Sequence, residues 1–92
     1  GKKTMIEMRR GNNIEIVISR FKLSHLEIRA AVESLNLEVL TLGRLEGLNS
    51  LLPITSEEEI LLRTVPDLSE YAIADKFCWE MLQIQRAKEK VE

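Results

Sequence analysis

Three features of the 92-residue sequence predict an all-α fold, a compact array of about five short helices. Apolar residues recur at i, i+3, i+4 and i+7, beginning with Ile14, Val17, Ile18 and Phe21, the spacing of a helix pressed on a core. Ser24 with Glu27, and Thr55 with Glu58, each form a capping-box pair at a helix start. Pro53 and Pro66 stand where helices should stop. The run I-E-I-V-I alternates and is β-branched, which would also suit a strand. Nothing else in the chain offers it a pairing partner, and a lone strand leaves its backbone groups unsatisfied.

The stretch from Ile6 to Phe21 organises the rest. On a wheel of roughly 100° per residue, Ile16 falls about 200° from Ile14, away from the core stripe. Met5, Arg9, Asn12 and Arg20 lie near it. An exposed isoleucine ringed by arginine and asparagine is a candidate anchor for a partner protein. The bland alternative is a single apolar surface residue, which is common and needs no explanation.

Phe21 to Leu23 makes a turn into Ser24, the N-cap of a second helix that runs to about Leu35. Leu23 and Ile28 occupy the two positions of a hydrophobic staple. Ile28, Ala31, Val32 and Leu35 share the inward face, and Asn36 is the stop. Thr41 caps a third helix, with Leu42, Leu45, Leu48 and Leu52 facing inward until Pro53. Gly43 and Gly47 weaken it by up to about 1 kcal/mol each relative to alanine. Their common face permits one close helix approach.

Thr55 with Glu58, or Ser56 with Glu59, starts a fourth helix that ends by Val65. Its acidic triplet, Glu57 to Glu59, suits the positive end of the helix dipole. Three consecutive carboxylates point in different directions round a helix and make a poor cation site. Residues 67–74 are either a turn with a helical start or an irregular loop. A final helix near Asp75 to Val91 carries Phe77, Met81, Ile84, with Cys78 and Leu82, inward. Trp79 lies off that stripe, either packed against the Tyr71 segment or part of an interface.

Composition narrows the function. Apolar residues are 45% and aromatic residues 4%, so aliphatic side chains must fill most of the core. The net charge of −2 is not the balance of a nucleic-acid binder. The one cationic concentration is Lys2, Lys3, Arg9 and Arg10, a patch able to steer an acidic partner. A helix-turn-helix reader would need basic or amide side chains aimed at bases, whereas the helix after Ser24 is acidic and aliphatic. No apolar run approaches a membrane span and no signal peptide is visible, so neither membrane nor nucleic acid is an expected partner. The lone Cys78 forms no internal disulfide and fits a reducing, intracellular setting. Both ends of the chain look cut, as in a piece of a longer protein.

Catalytic chemistry is not expected. His25 follows a cap and reads as a solvated first-turn residue. One histidine and one cysteine far apart have no metal-ligand spacing, and Cys78 on the inner side of a helix reads as a small core residue. There is no glycine-rich phosphate loop and no G-x-S-x-G. No enzyme activity, metal or cofactor is therefore expected.

The opening stretch resembles the formin homology 2 domain of the actin-assembling formins. The residues that carry the likeness are Ile6, Glu7, Arg9, Asn13 and Ile16, followed by Ile18, with Glu7 in place of the family's aspartate. It continues through L-S-H-L-E-I-R-A-A-V-E-S-L-N, through L-x-G-L-x-S-L-L-P with S-E-E-E, and through A-D-K-F-C-W-E-M-L-Q-I. The ordered set spans nearly the whole chain, residues 1–92. The segment Q-I-Q-R-A-K lacks the proline common in the family at that point.

The resemblance implies that the chain is the knob, a single helical domain within the larger formin domain. It implies actin as partner, a cytoplasmic, cytoskeletal location, and a contact centred on Ile16, with Arg9, Asn12, Asn13 and Arg20 as rim residues. Only Arg9 and Asn13 of that rim fall on motif positions. The intact domain would be a homodimer whose ring tracks a growing barbed end. This piece alone, without the lasso, linker and post, would be a monomer. The competing reading is a helical protein-interaction scaffold that does not bind actin.

Overall fold

In the computed structural model, which describes residues 3–84 and 87–91, the first helix α1 spans Met8–Ser19. It is followed by α2 His25–Ser34, α3 Leu42–Leu51, α4 Ser56–Arg63, α5 Ile73–Leu82 and α6 Ala87–Val91. The described residues hold no strand, only an isolated bridge between Lys3 and Tyr71. The architecture is all-α as the sequence predicts, with five helices of eight residues or more and one short sixth.

The caps form where the sequence places them. The Ser24 side chain accepts from the Glu27 N–H, and the Glu27 carboxylate accepts from the Ser24 N–H. Thr55 and Glu58 do the same at α4, and the Thr41 hydroxyl accepts from the Arg44 N–H at α3. Leu23 is half-buried and Ile28 fully buried, as the staple requires. Gly47 lets α3 meet α1: a Cβ there would lie 3.0 Å from Val17 and 3.1 Å from Phe21. Gly43 faces open space, so only one glycine of the pair serves the approach.

Packing centres on α5, which touches α1, α2 and α4, while α6 packs on α2 and α3. The hub is thus α5 rather than the first helix. Its buried face, Phe77, Cys78 and Met81, is the one read from the sequence, with Ile84 buried just beyond it. Asp75 at its start is fully buried and accepts from the Thr4 hydroxyl and the Met5 N–H. Lys3 donates its N–H to the Glu70 carbonyl and accepts from the Ala72 N–H. The segment before α1 is thereby pinned to the start of α5.

Three expectations need correction. The last helix is two: α5 ends at Leu82 in i→i−3 turns from Gln83 to Glu80 and Ile84 to Met81. Leu35 does not face inward; it is the left-handed C-cap of α2 (φ 52°, ψ 48°) and is exposed. Leu42, the first residue of α3, is also exposed, and its inward place is taken by Leu51. Of the two readings of residues 67–74, the turn with a helical start holds: a turn at Ser69–Glu70 leads into α5 at Ile73. Lys2 of the cationic cluster and Gln85–Arg86 of the Q-I-Q-R-A-K segment lie outside the described residues.

Candidate protein-interaction site

Helix α1 sends Ile14 (0% exposed) and Ile18 (4%) into the core and leaves Ile16 54% exposed. The cause is the helical period: two residues advance the side chain about 200°, onto the opposite face. Gly11 is buried beside Ala74, where a Cβ would sit 3.7 Å from the alanine methyl group, which seats α1 against α5.

Arg10 fixes the rotation of α1 from the other side. Its Nε donates to Glu58 Oε2 at 2.9 Å, and its Nη2 donates to the Leu51 carbonyl at 2.7 Å. One guanidinium therefore ties α1 to α3 and α4. Burial pushes the Glu58 carboxyl up, but the bonds from Arg10 and from the Thr55 N–H outweigh it, and its pKa falls below the ordinary value.

With the inner face held, the outer face presents a shallow groove lined by Glu7, Met8, Arg9, Asn12, Asn13 and Ile16. Four of the five expected site residues, Ile16, Arg9, Asn12 and Asn13, share it, and all four are exposed. Arg20 does not join them. It lines a separate depression with Val17, Phe21 and Gly47, between α1 and α3. Met5 is not beside Ile16 either, because the helix starts at Met8 and Met5 is drawn toward Asp75.

Met8, 77% exposed, belongs to the groove and escaped the sequence reading. Its signal was there: it stands two turns before Ile16 on the same side of the helix. Its flexible thioether adds apolar surface at the opposite end of the groove from Ile16. The basic patch is smaller than expected, since Arg10 turns inward and Lys3 pairs with Glu70 at 3.3 Å. Arg9 is left as the groove's cation, with Glu7 beside it.

The remaining polar ties are structural. Arg29 bonds Glu80 at 2.7 Å, joining α2 to α5, and that bond raises the guanidinium pKa. Burial pushes the Cys78 thiol up to about 12, so it stays protonated at neutral pH. No group of three or more His, Cys, Asp or Glu among the described residues is placed to hold a metal ion. No helix among them is long and apolar enough to cross a membrane.

The described residues thus form an all-helical lobe that buries one face of α1 and leaves Ile16 exposed in a polar groove on the other. The family model described as Formin Homology 2 Domain matches residues 1–92. The chain is 32% identical over 90 residues to Formin-I of Dictyostelium discoideum, covering 96% of this chain and 10% of that protein. It is 32% identical over 90 residues to human Disheveled-associated activator of morphogenesis 1, covering 97% and 8%. Formin-like protein 20 of Arabidopsis thaliana is 27% identical over 90 residues, covering 98% and 6%. The chain belongs to the formin homology 2 domain family, and it spans a tenth or less of the length of these relatives.

Proposed function

We propose that this chain is the knob of a formin homology 2 domain and binds actin through the α1 groove, with Ile16 as anchor. In the intact, homodimeric domain the lobe contributes to filament nucleation, elongation and barbed-end binding in the cytoskeleton. Met8 and Asn12 extend the contact along the helix, and Arg9 and Asn13 form its polar rim. Arg20 acts on a different surface. Binding is non-catalytic and uses no cofactor.

The observation that carries this reading is the exposure of Ile16, 54%, between two isoleucines that are buried. An aliphatic side chain held in water by a rigid helix gains roughly 1.5–3 kcal/mol when a partner covers it fully. It costs no folding stability to replace. The test is Ile16→Ala in the complete domain, read by actin assembly and barbed-end binding, with thermal unfolding as the control. The expected result is lost actin activity at unchanged stability. Retained activity overturns the reading, and unfolding by Ile16→Asp would overturn the placement of the side chain.

A further inference from the structure

The chain's sulfur atoms lie in three methionines, Met5, Met8 and Met81, and in Cys78. The fold treats them unequally. Met81 is 2% exposed on the inner face of α5, and Cys78 on the same helix is fully buried. A thiol reacts with peroxide as its thiolate, and burial pushes the Cys78 thiol up to about 12, which closes that route at neutral pH. Met5 is half-buried, with its backbone N–H tied to Asp75. Met8 is 77% exposed, more than any other large apolar side chain among the described residues.

The position of Met8 gives that exposure a consequence. It is the first residue of α1, and the chain before it turns away toward α5. Its side chain lines the same groove as Ile16, between Glu7 and Arg9. A thioether is apolar and pliable, whereas its sulfoxide is polar and carries a strong acceptor oxygen. A partner that covers the groove would have to strip water from that oxygen, and burying an acceptor without a donor is costly. One added atom at Met8 therefore changes what the groove can hold, while the core methionine stays sealed.

We propose that Met8 is a reversible oxidation site, the one sulfur of this chain that hydrogen peroxide reaches readily in the folded state, and that its sulfoxide weakens the contact made by the α1 groove. The sulfur lone pair attacks one peroxide oxygen; the S–O bond forms as the O–O bond breaks, and the other oxygen leaves as water. Sulfur gives up two electrons and peroxide takes them. A methionine sulfoxide reductase, drawing two electrons from thiols, restores the thioether. The weakened contact rests on the actin reading of the groove; the selectivity of oxidation does not.

In the complete domain, peroxide treatment followed by tryptic mass spectrometry tests the selectivity, since residues 4–9 form one peptide whose fragment ions separate Met5 from Met8. Met8 should take the oxygen about tenfold or more faster than Met81, and ahead of Met5, at an unchanged unfolding temperature. In urea the three should react alike. Equal rates in the folded domain overturn the proposal, and so does selectivity that survives urea, which would make it a property of local sequence. The second arm is actin binding, with peroxide removed before actin is added. Oxidation should weaken barbed-end binding about tenfold. Met8→Gln should reproduce that loss, and Met8→Leu should bind as wild type does and be insensitive to peroxide. A Met8→Leu domain that loses binding on oxidation overturns the weakened contact, because another methionine of the domain then carries the effect. Full binding by the oxidised wild type overturns it too. If Ile16→Ala abolishes binding in that same assay, the groove reading stands without Met8; if Ile16→Ala is equally silent, the groove reading falls as well.

Discussion

Ile14 and Ile16 carry the same side chain two positions apart in α1, yet substitutions at them are expected to act on different properties. Ile14 is fully buried, so Ile14→Ala should cost roughly 2–5 kcal/mol, the transfer term plus the cavity left behind. Ile16→Ala should stay within about 0.5 kcal/mol of wild type, as surface changes do. Urea unfolding of both variants checks the pair. Equal losses would mean that Ile16 contributes to the core. The two glycines of α3 give a second contrast. Gly43→Ala meets nothing within 4 Å and should gain up to about 1 kcal/mol from helix propensity. Gly47→Ala drives a methyl group against Val17 and Phe21, which must give way, and the same propensity gain should be cancelled or reversed. Thermal unfolding of the two variants should rank them in that order. Periodicity alone was enough to read Ile16, because a regular helix fixes both of its faces once one is known. It failed for Leu35 and Leu42, which lie at helix ends. There the backbone leaves the helical path or the first turn overhangs solvent, and the wheel no longer applies.

Between elements, the Arg10–Glu58 bond does what no local signal announced. Both residues are 21% exposed or less in their side chains, and the arginine also closes a carbonyl at the end of α3. Arg10→Met, which keeps the length but not the donors, should cost roughly 1–3 kcal/mol by stranding Glu58 and the Leu51 carbonyl. The pH dependence follows from the lowered Glu58 pKa. The unfolded chain takes up this proton near the ordinary value of 4.5 and the folded chain only at lower pH. This contribution is therefore fully present above pH 4.5 and is lost as pH falls through the folded value. Glu58→Gln should be less stable than wild type at neutral pH and lose less on acidification, measured as unfolding midpoints between pH 3 and 7. The capping boxes at Ser24 and Thr55 were legible because they are local, four residues carrying their own geometry. The break between α5 and α6 was not, because no proline or glycine marks it. There the chain tightens into i→i−3 turns that bury Ile84, and α6 packs across α2 and α3. That is a tertiary effect, as is the inward turn of Arg10 that removes it from the expected basic patch.

At the scale of the whole molecule, the proposed contact has one anchor in a shallow groove, and the free energy that can come from it is bounded. Covering Ile16 and Met8 together contributes roughly 3–6 kcal/mol at best, with part of both already against protein. Association costs about 4–15 kcal/mol in lost translational and rotational freedom. The two ranges overlap only at their edges, so a single lobe should bind actin weakly at most. The intact domain escapes this limit if two lobes engage one filament end together, since the second contact then forms at a high effective concentration. The expectation is specific: the isolated chain co-sediments poorly with filaments. Two copies joined by a flexible linker that spans both sites should gain on the order of 10²-fold or more in apparent affinity. Ile16→Ala in one copy of the tandem should return it to the single-lobe level, and in both copies should abolish binding. If one isolated lobe bound as tightly as the complete domain, the contact would have to extend well beyond the groove of Met8, Arg9, Asn12, Asn13 and Ile16. Its centre would then have to be sought elsewhere on the surface, beginning with the depression that holds Arg20.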